Sequence, residues 1–550
     1  MPRVALARSG PPPAPGRSRR RQADRTERVP VRPNMLFLMT DQHRVDTLGA
    51  YGNPHVRTPN LDRLATEGTR FDNCYTPTAI CTPARASLLT GAAPFRHKLL
   101  ANYERNVGYL EDLADDQFTF AGQLRAEGYR LGLLGKWHGG VRRTAADYGF
   151  EGPDLAGWHN PVDHPDYLAH LEENGLPPYR ITDPVRGTTP NGSPGNLLAA
   201  RLRQPVEATF EHYLATRTIE MLRRWVADGV GAAPGAGRAG AGPAGDRPFF
   251  LATHFFGPHL PYILPDAYYD MYDPALVELP ASVSETFAAK PPVQSNYSRL
   301  WAFDTMPLEE SRKLIAVYWG YVTLIDEQMG RILDAVRELG LEEHTAVFFT
   351  ADHGEFTGAH RLHDKGPAMY DDIYRIPGLL KVPGAPRGQV RDEFVSLTDC
   401  TATILDLAGS DTEPAVDSRS LLPLAAGERP EWAPHHLAEF HGHHFPYPQR
   451  MLRTRRYKLV VNPESRNELY DLHTDPDELH NRYDHPELRD VRAELTRTLY
   501  DLLRERGDNF FHWMSPMYDV ETDYDTTLSA FESEPDTAPA PGGAGEEGGA

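Results

Sequence analysis

Polar sequence gives way abruptly at Asn34 to the unbroken apolar run Met35-Leu36-Phe37-Leu38-Met39. Five apolar residues without alternation predict a strand buried on both faces. The run stops at Thr40-Asp41-Gln42. Runs of the same kind at 129–134, 248–256 and 346–350 predict further buried strands. Helical patterns at 58–68, 118–128 and 314–340 lie between them. In the first, Thr58 reads as the N-cap, Pro59 as the first helical residue and Gly68 as the stop. Strands alternating with helices predict an α/β fold. Its core is a large mixed, mostly parallel sheet with helices on both faces. Polar groups just past strand C-ends build the site in such sheets. That rule points to Asp41, Lys136, His254 or His259, and Asp352.

After about residue 425 the texture changes. Residues 456–461 alternate and turn at Asn462-Pro463, and 468–472 follow as a second short strand. Residues 488–506 are helical. These predict a smaller C-terminal subdomain over 426–528, with a short antiparallel sheet and a helix. The larger body spans 34–425, interrupted at 229–245 by a stretch of Gly, Ala and Pro that reads as an insertion. Residues 529–550 read as a disordered acidic tail. Residues 1–33 read as a disordered basic one, with nine Arg against Asp24 and Glu27. Arg19-Arg20-Arg21 is followed by polar sequence, not by the apolar run of an export signal. No stretch approaches the roughly 20 apolar residues of a membrane span, so the expected location is the cytoplasm.

The 550 residues carry 57 Lys+Arg against 77 Asp+Glu, a net charge of −20. This balance argues against nucleic acid and anionic membranes as partners. Three cysteines, Cys74, Cys81 and Cys400, cannot form a disulfide scaffold. A cysteine that matters here matters as a chemical group.

Cys81-Thr82-Pro83-Ala84-Arg85 continues into Ala86-Ser87-Leu88-Leu89-Thr90-Gly91, a short helix predicted to begin at the cysteine. A cysteine at a helix N-terminus sits among unpaired N–H groups in positive potential. Arg85, one turn on, points back to the same spot. Asp41-Gln42 and Asp352-His353 each place a hard carboxylate beside a neutral donor at a strand end, a pairing that suits one divalent cation. Lys136 and His138, two apart, share one side of an extended segment and could neutralise an anion and move a proton. Pro258-His259-Leu260-Pro261 presents His259 on a stiff loop, and His363-Asp364-Lys365-Gly366 presents Lys365. The histidines at 435, 436, 441, 443 and 444 read as a packed loop lining the pocket mouth, with His441 or His443 near substrate. A second metal site is the other reading. Trp158 and His159 border the same pocket, and residues 158–195 and 264–306 read as loops that build it.

This set of segments resembles the sulfatase family, within the alkaline-phosphatase-like hydrolases. Residues 81–91 match its CxPxRxxxLTG signature at every fixed position, with Ala84 where Ser is commoner. The resemblance runs from about Asn34 to Arg506. It implies that Cys81 is converted by a maturation enzyme to formylglycine (3-oxoalanine), an aldehyde that hydrates to a gem-diol. It further implies that Asp41, Gln42, Asp352, His353 and residue 81 hold one divalent metal, and that Arg85 holds the hydrated residue. Lys136, His138, His259 and Lys365 would surround the sulfate, and Asn102 would touch substrate. Gln42 and His353 replace the commoner Asp and Asn. This resembles branches that act on choline sulfate and on phosphonate monoesters, and leaves Ca²⁺ or Mn²⁺ as the ion. The expected activity is hydrolysis of a sulfate ester of a small molecule or saccharide. The other readings are hydrolysis of phosphonate monoesters or phosphodiesters by the same machinery, and an unmodified homologue that binds a sulfated ligand. With a surface at −20, attraction of an anionic substrate must be local.

Overall fold

The computed structural model describes residues 32–510, except 103, 105–106, 108–109, 154–160, 189–190, 232–246, 413–416, 464 and 509. Residues 1–31 of the basic tail, the whole acidic tail, the 229–245 insertion for most of its length, and Trp158 and His159 fall outside the described residues. The strands, in chain order, are β1 Asn34–Asp41, β2 Thr69–Tyr75, β3 Arg130–Gly135, β4 Ile181–Thr188, β5 Pro194–Leu202, β6 Phe249–Pro258 and β7 Tyr262–Pro265. They continue as β8 Thr345–Ala351, β9 Gly378–Lys381, β10 Gln389–Ser396, β11 His435–Gly442, β12 Pro446–Thr454, β13 Tyr457–Val461 and β14 Glu468–Asp471.

Seven of these form one sheet in the order β10-β2-β9-β8-β1-β6-β3. Every pairing is parallel except those of β9, which runs against both β2 and β8. The apolar run of β1 explains its central place. Leu36 and Leu38 enter the core cluster shared with helices Pro59–Glu67, Phe210–Ala227 and Leu308–Glu338. Met35, Phe37 and Met39 enter the cluster on the opposite face, with helices Cys81–Thr90, Phe120–Ala126 and Asp399–Leu407. Side chains alternate across a strand, so a run without polar residues needs a helical layer on each side. Each fully buried Leu or Phe contributes about 1.5–3 kcal/mol.

The predicted Thr58 helix forms as Pro59–Glu67, but the Thr58 hydroxyl makes no cap bond to it. Thr58 Oγ1 instead accepts from Gly49 N at 2.9 Å and donates to Asp62 Oδ1 at 3.1 Å, tying the helix to the loop after β1.

A second sheet, β11-β12-β13-β14, is antiparallel throughout, and helix Arg489–Arg506 packs on it through Leu495, Leu499 and Leu503. The histidine-rich stretch is therefore not a loop. It is the hairpin β11–β12, with only 443–445 in its turn. Pro446 and Pro448 conceal the alternation there, and proline is tolerated because the strand begins at it. A third sheet, β4-β5-β7, takes β4 from the 158–195 stretch that was expected to be a loop.

Candidate active site

Sheet order places the chemistry. Reading β8-β1-β6-β3 across the sheet, the C-terminal ends carry Asp352 and His353, then Asp41 and Gln42, then His254 and His259, then Lys136 and His138. Four segments spread over more than 300 residues thus meet on one edge, as open α/β sheets require. Gly135 makes the last turn possible. Its φ is +96°, and a Cβ there would run into the His254 carbonyl.

Cys81 is the first residue of the fully buried helix Cys81–Thr90, which Gly91 closes in the left-handed conformation with its N–H on Ser87 O at 2.8 Å. The Cys81 Sγ lies 3.2 Å from His353 Nε2, 3.8 Å from Asp41 Oδ1 and 3.9 Å from Lys136 Nζ. Burial pushes its thiol up, but Lys136, Lys365 and His353 outweigh burial and hold it well below the usual thiol range. Cys74 and Cys400 are also buried, and burial, with Asp399 adding to it, pushes both thiols up; Arg375 opposes this at Cys74 without outweighing it.

Arg85 organises the floor. Its Nε donates to Asp352 Oδ2 and a terminal nitrogen to Asp41 Oδ2, both at 2.9 Å, while the other terminal nitrogen donates to Lys136 O at 2.7 Å. One oxygen of each aspartate is thereby held. Asp352 Oδ1 accepts from the backbone N–H groups of Gln42 and His353. Lys136 Nζ lies 2.7 Å from Asp41 Oδ2. Burial and Cys81 push Asp41 up, but Lys136, His259 and Arg85 hold it far below the carboxylate range. Burial and then Asp41 push Asp352 up to about 6. His138 is driven down to about 4, chiefly by burial.

Donor atoms of Asp41, Cys81, Asp352 and His353 all lie within 4.8 Å of one another. His353 Nδ1 is 2.9 Å from Gly354 O, which leaves Nε2 for the cluster. Gln42, held at φ +64°, brings its Oε1 to 3.1 Å from Lys365 Nζ. Two carboxylates, one imidazole and an amide oxygen, buried together, fit a single divalent cation. Lys365 Nζ also lies 2.9 Å from His259 Nε2 and 3.0 Å from Asp364 Oδ1.

Above this floor opens a cavity of about 460 Å³, shared by Cys81, Lys136, His138, His259 and Lys365. Tyr167, Phe210, Phe256 and Trp301 form its apolar wall, and β5 and β7 supply part of its rim.

Of the expected substrate contacts, Asn102 and His443 line the cavity and His441 does not. Asn102 lines the cavity, but its Oδ1 accepts Thr82 N at 2.9 Å, so it caps the Cys81 helix. His441 does not line the cavity. Period-two alternation puts it on the same face of β11 as Glu439, and its Nε2 lies 2.6 Å from Glu439 Oε2. His443 and His444, past the strand end, do line it. Sequence reasoning assigned no role to Glu355, although it lies in the same segment as Asp352. It is buried, accepts the Gln42 amide N–H, and accepts Thr357 N at 3.1 Å.

The Sulfatase family model matches residues 33–410, and the model for the C-terminal part of N-sulphoglucosamine sulphohydrolase matches 358–505. The chain is 30% identical over 503 residues to the uncharacterized sulfatase YidJ of Escherichia coli, covering 88% of this chain and 90% of that one. It is 27% identical to the choline-sulfatase of Rhizobium meliloti, covering 84% and 85%. The solved phosphonate monoester hydrolase of Silicibacter pomeroyi superposes with a TM-score of 0.69 at 27% identity, covering 88% of this chain and 97% of that one. Among the described residues, no helix is long and apolar enough to cross a membrane.

Proposed function

From the premise that this chain belongs to the sulfatase family, and is a sulfuric ester hydrolase, we propose how it cleaves a sulfate ester. Residue 81 is the nucleophile, after conversion of Cys81 to formylglycine by a maturation enzyme. One observation carries this reading. The only cysteine with a lowered thiol sits at a helix N-terminus within 4 Å of His353, Asp41 and Lys136.

Asp41, Gln42, Asp352, His353 and residue 81 are the groups that would hold a divalent cation, Ca²⁺ before Mn²⁺ because oxygen donors predominate. A bound cation supplies Lewis acidity and charge neutralisation at that point. Hydrated residue 81 offers two hydroxyl groups. One gives its proton to Asp352, whose carboxylate lies within 4.8 Å of the residue 81 side chain, and attacks sulfur in line, and the bond from sulfur to the alcohol oxygen breaks. Arg85 and Lys136 orient the nucleophile and the sulfate oxygens. His259 or Lys365, which touch each other, protonates the departing oxygen. The remaining hydroxyl then gives its proton to His138, the carbon–oxygen bond to sulfate breaks, and the aldehyde re-forms. No water attacks sulfur. A serine in this place has no second hydroxyl and would stop after the first transfer.

A second reading has its own support. Gln42 and His353 remove one negative charge from the commoner ligand set, and a phosphonate monoester hydrolase is among the structural neighbours. Rates on an aryl sulfate and on the matching aryl phosphonate monoester, each with Ca²⁺ and with Mn²⁺, test the choice. A higher kcat/KM on the sulfate is expected. A higher value on the phosphonate with both ions would replace the first reading by the second.

A further inference from the structure

The turn of the β11–β12 hairpin holds a cluster that the mechanism above does not use. His443 Nε2 lies 3.9 Å, and His444 Nδ1 4.0 Å, from the same oxygen, Glu104 Oε1. One donor atom from each of the three residues lies within 4.8 Å of the others. These spacings are too long for hydrogen bonds. Metal–donor bonds of about 2.0–2.2 Å are reached by a contraction of less than about 1 Å.

The surrounding groups aim these atoms inward. His443 Nδ1 is 3.0 Å from the Tyr297 hydroxyl, so its Nε2 faces the cluster. Glu104 Oε2 accepts Asn102 N at 3.0 Å, so its Oε1 does the same. His444 N donates to Glu104 Oε1 at 3.2 Å and fixes the turn. Holding the far ring nitrogen and the far carboxylate oxygen is how proteins orient metal ligands. Two imidazoles and a carboxylate form a three-ligand set that leaves a fourth position open. Two nitrogen donors favour Zn²⁺ or a similar transition ion over Ca²⁺ or Mg²⁺. Both histidines line the cavity that contains Cys81.

We propose that Glu104, His443 and His444 form a second metal site, for a transition ion, at the mouth of the substrate cavity. Its open position takes an oxygen, hydroxyl or carboxylate, of the alcohol half of the ester. The last clause rests on the sulfatase reading; the metal site does not.

The test counts zinc. The full chain, held in excess Ca²⁺, is titrated with Zn²⁺, desalted and analysed by plasma mass spectrometry, beside Asp352→Asn, His443→Ala and Glu104→Gln. Melting curves monitor folding, and Glu104→Gln keeps the side-chain shape. Wild type is expected to keep one Zn²⁺ that Asp352→Asn also keeps. His443→Ala and Glu104→Gln should each bind it at least tenfold more weakly. Wild type that keeps no Zn²⁺ would overturn the site. So would a Zn²⁺ lost in Asp352→Asn and retained by the other two variants. In wild type, Co²⁺ in place of Zn²⁺ should give the visible absorption of a tetrahedral ion, and its survival in His443→Ala would also overturn the site. None of these readouts uses sulfatase turnover, so a failure here leaves the catalytic reading standing, and the reverse.

Discussion

Glu355 takes the amide N–H of Gln42 on one carboxylate oxygen, which turns the Gln42 carbonyl oxygen to within 3.1 Å of Lys365 Nζ. Its other oxygen accepts Thr357 N at 3.1 Å and the backbone N–H of Asp364, so one buried carboxylate fixes both the Gln42 amide and the loop that carries Lys365. Glu355→Gln would offer an NH₂ where acceptors are needed. It is expected to weaken Ca²⁺ binding by about 10–100-fold, the range for losing a group that orients a ligand. Calorimetric titration with Ca²⁺ measures this. An unchanged affinity would remove Glu355 from the account.

Cys81→Ser tests the need for two hydroxyl groups on residue 81. With 4-nitrophenyl sulfate it should release at most one nitrophenol per chain and then stay sulfated, which intact-mass measurement detects. Sustained turnover by this variant would contradict the elimination step.

Asn102 gives a structural prediction rather than a catalytic one. Its Oδ1 satisfies Thr82 N at the start of the Cys81 helix. Asn102→Ala should cost about 0.5–2 kcal/mol of stability, the usual cost of a lost cap, read as a shift in the urea midpoint. Asn102→Asp, which keeps an acceptor there, should restore most of it. If stability is unchanged in Asn102→Ala while KM rises, the residue acts on substrate and not as a cap.

Glu285 carries a pH signature through partners other than the metal ligands. It is paired with the buried Lys290 and lies 2.8 Å from His360 Nδ1, and Lys290 Nζ also donates to Glu478 O at 2.7 Å. Burial pushes Glu285 up, but His360 and Lys290 outweigh it and hold the carboxylate at about 2, against an ordinary 4.5. A carboxylate lowered by folding contributes stability that is complete above its unfolded value and lost as pH falls through the folded one. Glu285→Gln leaves Lys290 buried without its counter-charge and should cost about 3–5 kcal/mol at pH 7. The gap to wild type should narrow only as pH falls from about 4.5 towards 2. Urea midpoints at pH 7, 5, 4 and 3 check this, and a gap that is constant across the series would refute it.

Much of this was legible in the chain because it was local. The apolar run of β1 announced burial on both faces, and it packs with a different helical layer on each. Cys81 and Arg85 are one helical turn apart, so their convergence followed from spacing. What could not be read was pairing between distant segments. Gln42 and Glu355 are 313 residues apart, and only the neighbouring ends of β1 and β8 bring them together. Nothing local reveals that the Asn102 side chain, which lines the cavity, also accepts Thr82 N. His441 and His443 could not be separated without knowing that β11 ends at Gly442, which sends them to different surroundings. The β4–β5 hairpin escaped because Asp183, Pro184, Arg186 and Gly187 give it no apolar alternation to detect.

The mass of the peptide that spans residue 81, taken from active protein made in its native host, decides whether residue 81 is the nucleophile in its converted form. An aldehyde is expected in place of the Cys81 thiol, in proportion to specific activity. An intact thiol in fully active protein would contradict this.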